Sequence, residues 1–314
     1  MIPPPFDAVT VTLNPAIDQT VTIANFTAGA VNRVEAIRSN SGGKGVNVAS
    51  NLADAGQRVA VSGFLGQEND AAFTGLFARK MIADHFIRVA GQTRVGIKVV
   101  DPVLGQTTDI NFPGTGVSNS ELETLARTLA TLEARCFVLA GSLPPGTDPG
   151  IYRQLTTALR YQERRVVLDA SGEALRLALD ARPHLIKPNL HELEELVGQS
   201  LSRVEDVVDA ARQLVGRGIE QVTISMGRDG ACFVTAQEAV IARPPDVEVR
   251  STVGAGDAMV AGLVAAHARK LPLAESARLA TAFSVHALTR TSRTPDFHTS
   301  IEALLPQIQI QSLK

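Results

Sequence analysis

Cysteine is scarce in this sequence, with only Cys136 and Cys232 among 314 residues. Each lies inside an apolar run, RCFVLAG or ACFV, that predicts a buried strand. Their spacing fits neither a zinc site nor a disulfide framework, and sparse cysteine is typical of a reducing compartment. We therefore expect two core thiols in a cytoplasmic protein.

A large excess of charge is also lacking. The chain has 30 Lys and Arg against 32 Asp and Glu, a formal net charge of -2 and a pI of about 6.3. Because such a chain has no general attraction for a polyanion, and no long Lys/Arg run acts locally, we expect no nucleic-acid partner. Positive charge should matter only where single Lys and Arg side chains meet a small anion.

Long apolar runs are missing as well. No stretch of about 18 uninterrupted apolar residues is present to span a bilayer. The start, MIPPPFDAVTVTLNP, lacks the basic segment and apolar run of a signal peptide. We expect no membrane association. The composition, 45% hydrophobic and 20% charged, still provides for a large core and excludes disordered and fibrous classes.

From about residue 120 onward, short apolar strands alternate with amphipathic segments. The strands are CFVLAG, RVVLDAS, HLIKPN and QVTISMG. Strands that are apolar throughout and separated by helices imply a parallel sheet covered on both faces. The sequence therefore predicts an α/β fold, with a doubly wound and mostly parallel sheet in a single domain over residues 1–314.

The first third of the chain has a different pattern. VTVTLN, QTVTI, RVGIKVV and TTDINF are short, rich in Thr and Val, and alternate polar with apolar residues. This alternation is typical of half-exposed antiparallel strands. We expect a small β-sheet built from about residues 16–38 and 92–115. Such a sheet beside a cleft can serve as a lid, and its edges as a homodimer surface.

The strongest local signal is STVGAGDA at residues 251–258, followed by an apolar helical pattern. A glycine-rich turn that opens a helix leaves backbone N–H groups unpaired, and the helix dipole favours negative charge there. The turn therefore predicts an anion site. Asp257 in the first helical turn is either a catalytic carboxylate or a helix cap. Met259 in place of a third glycine excludes a dinucleotide fingerprint.

A second signal is NSGGKGVN at residues 40–47, which enters another helical pattern. Consecutive glycines let the backbone approach a ligand closely, and Asn47 offers a donor and an acceptor to sugar hydroxyls. Lys44 can meet a phosphate, although a plain glycine-rich turn is the alternative. Arg38 in place of the first glycine, with Gly45 after the lysine, excludes a Walker loop.

Four further loops follow predicted strands. Asp18, after the proline-fixed turn of NPAID, can accept hydrogen bonds from two hydroxyls, although such residues are commonly just solvated. Asn189 and Glu192 in KPNLHE suit a capping pair or a hydrated magnesium site, with His191 at the surface. GSLPPG and SMGRDG put glycine after buried strands. Ligands collect at the carboxyl ends of such strands, so we expect five loops to converge on one site.

These motifs together resemble the PfkB-type, ribokinase-like carbohydrate kinases from Asn14 to about residue 290. SGGKGVNVA and STVGAGDAMVAG match the family's two signatures, and GSLPPG, KPNLHELEELVG and SMGRDGA fall in the expected order between them. Within the family, TLNPAID, GFLG, TRVGIKV and TDINFPG most resemble the hexose-phosphate kinase branch. The resemblance implies a ribokinase-like αβα fold with a β lid, and a kinase that uses ATP and Mg²⁺.

The resemblance also implies the reaction, namely phosphorylation of fructose 1-phosphate to fructose 1,6-bisphosphate. Tagatose 6-phosphate and fructose 6-phosphate are the alternative acceptors. Lys44 and Arg94 favour an acceptor that already bears a phosphate over ribose or a nucleoside. A non-catalytic sugar-phosphate sensor is the alternative from another class, but it should show a broken late motif, and Asp257 with its glycines is intact.

Carried over residue by residue, the resemblance implies site residues of four kinds. The catalytic set is the base Asp257 with the anion-hole amides of Gly254, Ala255 and Gly256. The sugar-phosphate set is Asp18, Gly42, Gly43, Lys44, Asn47, Arg94, Ser142 and Arg33. The nucleotide set is Lys187, Asn189, Ser225, Gly227, Gly230 and Thr252, and the magnesium set is Asn189 and Glu192. At a helix start, we expect Asp257 to have a low pKa, which such a base tolerates.

Overall fold

The computed structural model describes residues 4–251, 253–290 and 296–313. Within these ranges the chain forms fourteen β-strands: β1 (Phe6–Thr12), β2 (Ala16–Thr22), β3 (Ala36–Gly42), β4 (Val59–Gly66), β5 (Ala83–Val89), β6 (Arg94–Asp101), β7 (Gln106–Asn111), β8 (Ala134–Ala140), β9 (Arg165–Asp169), β10 (Leu185–Ile186), β11 (Gln221–Ser225), β12 (Ala231–Thr235), β13 (Ala239–Arg243) and β14 (Gln309–Leu313).

The same described ranges contain ten α-helices: α1 (Lys44–Asp54), α2 (Ala71–Lys80), α3 (Asn119–Thr131), α4 (Ile151–Tyr161), α5 (Gly172–Ala178), α6 (Leu190–Val197), α7 (Val204–Gly216), α8 (Ala255–Ala268), α9 (Leu273–Thr289) and α10 (Phe297–Leu304). Helices α2, α4, α5, α6 and α8 each follow a strand of the large sheet. This alternation is the one that the sequence predicts after residue 120.

The large sheet has the strand order β14-β13-β12-β11-β10-β9-β8-β1-β4-β5. The strands from β11 to β5 pair in parallel, and β12, β13 and β14 add antiparallel strands at the other edge. Strand β4 is buried at every position, as a strand covered on both faces must be. The predicted α/β class with a mostly parallel sheet is confirmed.

Helices cover both faces of this sheet. One hydrophobic cluster joins it to α1, α8 and α9, and a second cluster joins its other face to α3, α4 and α7. Helices α8 and α9 pack closely, because a Cβ at Gly262 would lie 2.6 Å from the backbone of Ala280. The sheet is therefore doubly wound, and α8 is fixed between the sheet and α9.

The prediction for VTVTLN was wrong. Its residues belong to β1, which lies in the middle of the large sheet and pairs in parallel with β4 and β8. Thr10 and Thr12 are buried with their Val neighbours, at 0% and 1% exposure. Threonine has nearly the shape of valine and fits a pleated buried surface, so its alternation with valine mimicked a half-exposed strand.

A separate small sheet has the order β3-β2-β6-β7. Strands β2 and β6 pair in parallel, whereas the sequence favoured an antiparallel arrangement throughout, and the other two pairings are antiparallel. The unpredicted strand is β3, which runs on to Gly42 and is mostly exposed. Val21, Ile23 and Val99 form a small core beneath this sheet.

Both cysteines are free and buried, which confirms the prediction of core thiols. Burial raises the pKa of Cys136 to about 12 and that of Cys232 to about 11. In the part of the chain that the structure describes, no helix combines the length and the apolar character that crossing a membrane requires. The cytoplasmic location stays a prediction.

Candidate active site

The start of α8 lies at the carboxyl edge of the large sheet. Gly254 precedes the helix with φ of 78°, a left-handed conformation that glycine adopts without strain. Among the described residues no side chain caps this helix, so the amides of its first turn stay open to a ligand. The geometry is that of an anion-binding turn made by residues 254–256.

Asp257 lies in the first turn of α8 and is 7% exposed. Its carboxylate accepts a hydrogen bond from Nδ2 of Asn47 at 2.8 Å instead of capping the helix. The capping alternative for Asp257 is therefore wrong. Asn47 belongs to α1, so this contact brings the two glycine-rich motifs of the sequence together.

The expectation of a low pKa for Asp257 was also wrong. Burial and the neighbouring carboxylate of Asp169 raise the pKa of Asp257 to about 6, although Asn47, Lys44 and Lys187 act to lower it. Loss of hydration, reinforced by a like charge, outweighs the helix dipole. The carboxylate is therefore a better proton acceptor near neutral pH than an exposed aspartate.

The sequence interpretation missed Asp169, which ends β9 and is 1% exposed. Lys44 Nζ donates to its Oδ1 at 3.1 Å, and Lys187 Nζ lies 3.6 Å from the same oxygen. Its Oδ2 has no hydrogen-bond partner among the residues described. The available signal was its place at the carboxyl end of the apolar run RVVLDAS, the rule that selected the other loops.

Lys187 is 5% exposed and lies against the anion-binding turn. A Cβ built on Gly256 would lie 3.5 Å from Lys187 Nζ. A buried ammonium thus stands next to the open amides of α8. Both favour an anion at the same place.

Asn189 and Glu192 form a capping box at the start of α6. Asn189 Oδ1 accepts from the Glu192 amide, and Glu192 Oε2 accepts from the Asn189 amide, both at 2.8 Å. Of the two sequence alternatives, the structure shows the capping pair. His191 lies at the surface, with 79% of its side chain exposed.

The SMGRDG loop lies beside this box, because the Ser225 amide donates to the Pro188 carbonyl at 3.2 Å. Gly227 and Gly230 both have positive φ, 61° and 90°. A Cβ at Gly230 would overlap the carbonyl of Ala242, so a tight approach to β13 accounts for that glycine. Thr252, the remaining nucleotide residue, lies outside the described residues.

Asp18 lies within β2 of the small sheet, after the turn at Pro15. A Cβ on Gly42 would overlap its carboxylate, so that glycine admits the side chain. The neighbouring Gly43 has φ of 111° and precedes α1. Burial raises the pKa of Asp18, while Arg94 and Lys98 act to lower it.

Arg94 begins β6, next to β2. Its Nε donates to the carbonyl of Asn14 at 3.4 Å, and Nδ2 of Asn14 donates to Ser142 Oγ at 3.3 Å. The structure thus brings Arg94 and Ser142 to one place through Asn14, which the sequence interpretation did not assign a role. In the described part of the chain, Arg94 has no ion-pair partner.

Arg33 makes no hydrogen bond or ion pair to the other described site residues. It lies exposed in the segment between β2 and β3. Among the described residues it has neither a hydrogen bond nor an ion pair. Its assignment to the sugar phosphate stays a prediction without support from the structure.

Fold and site together define a class. An open α/β sheet carries, at its carboxyl edge, an anion-binding helix start, a buried carboxylate and two lysines, with a polar pocket on a second sheet alongside. Phosphoryl transfer to a small polar acceptor needs these parts, because it depends on positioning and on neutralising charge. The class is a small-molecule kinase of ribokinase-like architecture.

Comparison with known proteins supports the same class of protein. The sequence profile of the pfkB family carbohydrate kinases matches residues 11–299, and the chain belongs to this family. It is 51% identical over 282 residues to 1-phosphofructokinase of Rhodobacter capsulatus, covering 89% of each chain. It is 38% identical over 306 residues to 1-phosphofructokinase of Escherichia coli K12, covering 96% of this chain and 97% of that one.

Solved structures show the same architecture. Escherichia coli phosphofructokinase-2, in complex with substrates and products, superposes with a TM-score of 0.90 at 29% identity, over 95% of this chain and 98% of that one. A possible 1-phosphofructokinase from Thermotoga maritima superposes with a TM-score of 0.86 at 27% identity, over 98% and 99% of the two chains.

Proposed function

We propose that this protein transfers the γ-phosphate of ATP to fructose 1-phosphate and forms fructose 1,6-bisphosphate. The observation that carries the proposal is a buried carboxylate, Asp257, in the first turn of a helix whose amides are open to an anion. The names of relatives with 38% to 51% identity support the choice of acceptor.

In this scheme the acceptor hydroxyl oxygen attacks the γ-phosphorus, the bond from phosphorus to the β–γ bridging oxygen breaks, and ADP leaves. Asp257 takes the hydroxyl proton. The amides of residues 254–256 and the ammonium of Lys187 offset charge on the transferred group, which supplies most of the catalysis in a loose transition state.

Magnesium suits the carboxylates of this site. Among the residues described, no group of three or more His, Cys, Asp or Glu side chains could enclose a metal ion. Mg²⁺ normally keeps several waters and binds one or two carboxylates together with substrate phosphates. The unpartnered Oδ2 of Asp169 fits that pattern. Lys44 interacts electrostatically with both Asp169 and Glu192, and Glu192 with Asn189 is the other proposed magnesium ligand set. When bound, the ion would neutralise phosphate charge.

The small sheet is assigned the role of a lid that binds the sugar phosphate. Asp18 is placed to accept hydrogen bonds from sugar hydroxyls, and Arg94 with Ser142 to hold the existing phosphate. Arg94 is free to do so because it has no ion-pair partner among the described residues. Closure over the sugar would exclude water, which otherwise competes as phosphoryl acceptor.

We also assign homodimerisation to the small sheet. Apolar side chains on its edge strands and the segments beside them are exposed: Val31 89%, Val34 53%, Ile37 59%, Ile110 45% and Phe112 49%. Exposed apolar groups on sheet edges commonly mark an interface. For comparison, a tetrameric inhibited form is known for Escherichia coli phosphofructokinase-2.

The test is ADP release with Mg-ATP and, separately, fructose 1-phosphate, fructose 6-phosphate and tagatose 6-phosphate, comparing kcat/KM. A clear preference for fructose 1-phosphate is expected. Preference for a 6-phosphate would keep the chemistry and overturn the acceptor. Binding of a sugar phosphate without any turnover would overturn the enzyme and favour the sensor.

A further inference from the structure

A cavity of about 250 Å³ lies at the edge of the large sheet opposite the candidate active site. Strand β9 connects the two places, because Arg165 at its start lines the cavity while Asp169 at its end lies in the active site. Helix α8 does the same, with Asp257 near its start and His267 near its end. The cavity is therefore separate from the kinase site.

The floor of the cavity is apolar and belongs to the core. Val167 and Leu263 line it at 2% exposure each, and Leu185 at 4%. The cavity thus reaches between the sheet and α8, where the buried neighbours of these residues are closely packed. A ligand inside it would be covered on its apolar side.

Two polar side chains that line the same cavity have donors and acceptors without hydrogen-bond partners among the described residues. Ser276 is 7% exposed, and its hydroxyl has no hydrogen-bond partner among the described residues. The His267 ring is likewise without a hydrogen bond or ion pair in the described part of the chain. Burial and Arg165 lower the pKa of His267, so the ring is neutral at neutral pH and has one donor and one acceptor nitrogen.

Arg165 is the cation of this lining. Its Nη1 donates to Glu220 at 2.7 Å, while its Nε and Nη2 make no hydrogen bond with a described residue. A guanidinium has five N–H donors in a planar fork, so pairing with one carboxylate leaves donors for a second. Glu238 also lines the cavity and carries the opposite charge. The cavity lining therefore contains both a positive and a negative group, and the charge of a ligand decides which of the two it would contact.

We propose that this cavity binds a small organic carboxylate, with the carboxylate on Arg165 and Ser276 and an apolar body over Val167 and Leu263. The volume is below the roughly 300–1,000 Å³ of sites for drug-sized ligands, so the molecule is small. A carboxylate is favoured over an amine because three of the polar groups named, Arg165, Ser276 and His267, can donate hydrogen bonds to it.

The test uses three molecules that share a branched alkyl group and differ in their functional group: isobutyrate, isobutylamine and isobutanol. Each is titrated into the full-length protein without ATP or sugar phosphate, and the imidazole NMR signals of His267 are followed, with His267→Gln to assign them. Saturable shifts with isobutyrate alone, or at least tenfold tighter than with the other two, are expected. Tighter binding of isobutylamine, equal binding of isobutanol, or no saturable shift would overturn the proposal.

Two variants check the contacts. Arg165→Gln should weaken isobutyrate binding at least tenfold, and Ser276→Ala should weaken it by a smaller factor. Arg203→Gln is the matched control, because Arg203 is also paired with one carboxylate, that of Asp206 at 2.6 Å, but does not line the cavity. Unchanged binding in both test variants, with native far-UV circular dichroism, would place the ligand elsewhere. Because no turnover is measured, the result is independent of the proposed kinase activity.

Discussion

The two sides of the candidate site are built differently. On the large sheet, Asp169, Lys187 and Asp257 are at most 7% exposed and interact closely with one another. On the small sheet, Asp18 and Arg94 are half-buried. Their strands belong to a sheet whose only large buried apolar side chains are Val21, Ile23 and Val99 among the residues described.

This difference assigns the chemistry and the recognition to different parts of the fold. Buried charges hold each other in place and shift each other's pKa, which suits groups that must neutralise a transition state. Half-exposed groups on a thin sheet can exchange water for a ligand and move with the sheet. Substitutions on the large sheet should therefore change kcat, and substitutions on the small sheet should change KM.

The largest effect is expected from Asp257→Asn. General-base contributions are typically 10²–10⁴-fold, so kcat should fall by about that factor while both KM values change little. Steady-state kinetics with ATP and fructose 1-phosphate measure this, with the exposed Asp180→Asn as control. A variant that keeps most of its turnover would remove Asp257 as the base.

A smaller effect, on the opposite side, is expected from Arg94→Ala. A hydrogen bond to a charged group contributes about 1.5–3 kcal/mol, so KM for the sugar phosphate should rise roughly 10- to 150-fold with little change in KM for ATP. Arg212→Ala is the control, because Arg212 lies on α7, is paired with Asp209 at 3.8 Å and is not among the residues assigned to the site. Equal changes in both KM values would indicate a structural arginine.

The pH dependence separates the two sides further. Asp257 must be ionised to accept a proton, and its pKa is raised to about 6, so kcat/KM should fall as the pH drops through about 6. Asp169→Asn removes a like charge and should move this fall in kcat/KM to lower pH. Asn47→Ala removes a hydrogen bond that favours the carboxylate and should move it to higher pH. Shifts in the same direction would refute this electrostatic account.

The smallest effect on chemistry is expected at the outer strands of the small sheet. Ile37→Asp places a charge on the proposed dimer surface and should convert dimer to monomer in size-exclusion chromatography with light scattering, while Asp257 and its neighbours stay as they are. Tyr161→Asp is the control, since Tyr161 is 91% exposed on α4, away from that sheet. A monomeric parent protein, or a variant that stays dimeric, would contradict the dimer assignment.

The sequence by itself determined the α/β class, the buried thiols and the turn at residues 254–256. These features depend on local pattern: apolar strands alternating with helices, and glycine where a backbone must turn into a helix. The prediction assigned VTVTLN to the wrong sheet, because threonine counts as polar in a sequence pattern although its shape fits a buried strand.

Only the tertiary structure decided the electrostatics of the site. Asp257 meets Asn47 across 210 residues of sequence, and its raised pKa comes from burial and from Asp169, neither of which a local motif contains. Lys44 and Lys187 likewise meet at Asp169 from distant segments of the chain. Burial and charge pairing depend on which distant segments pack together, and a sequence pattern does not contain that information.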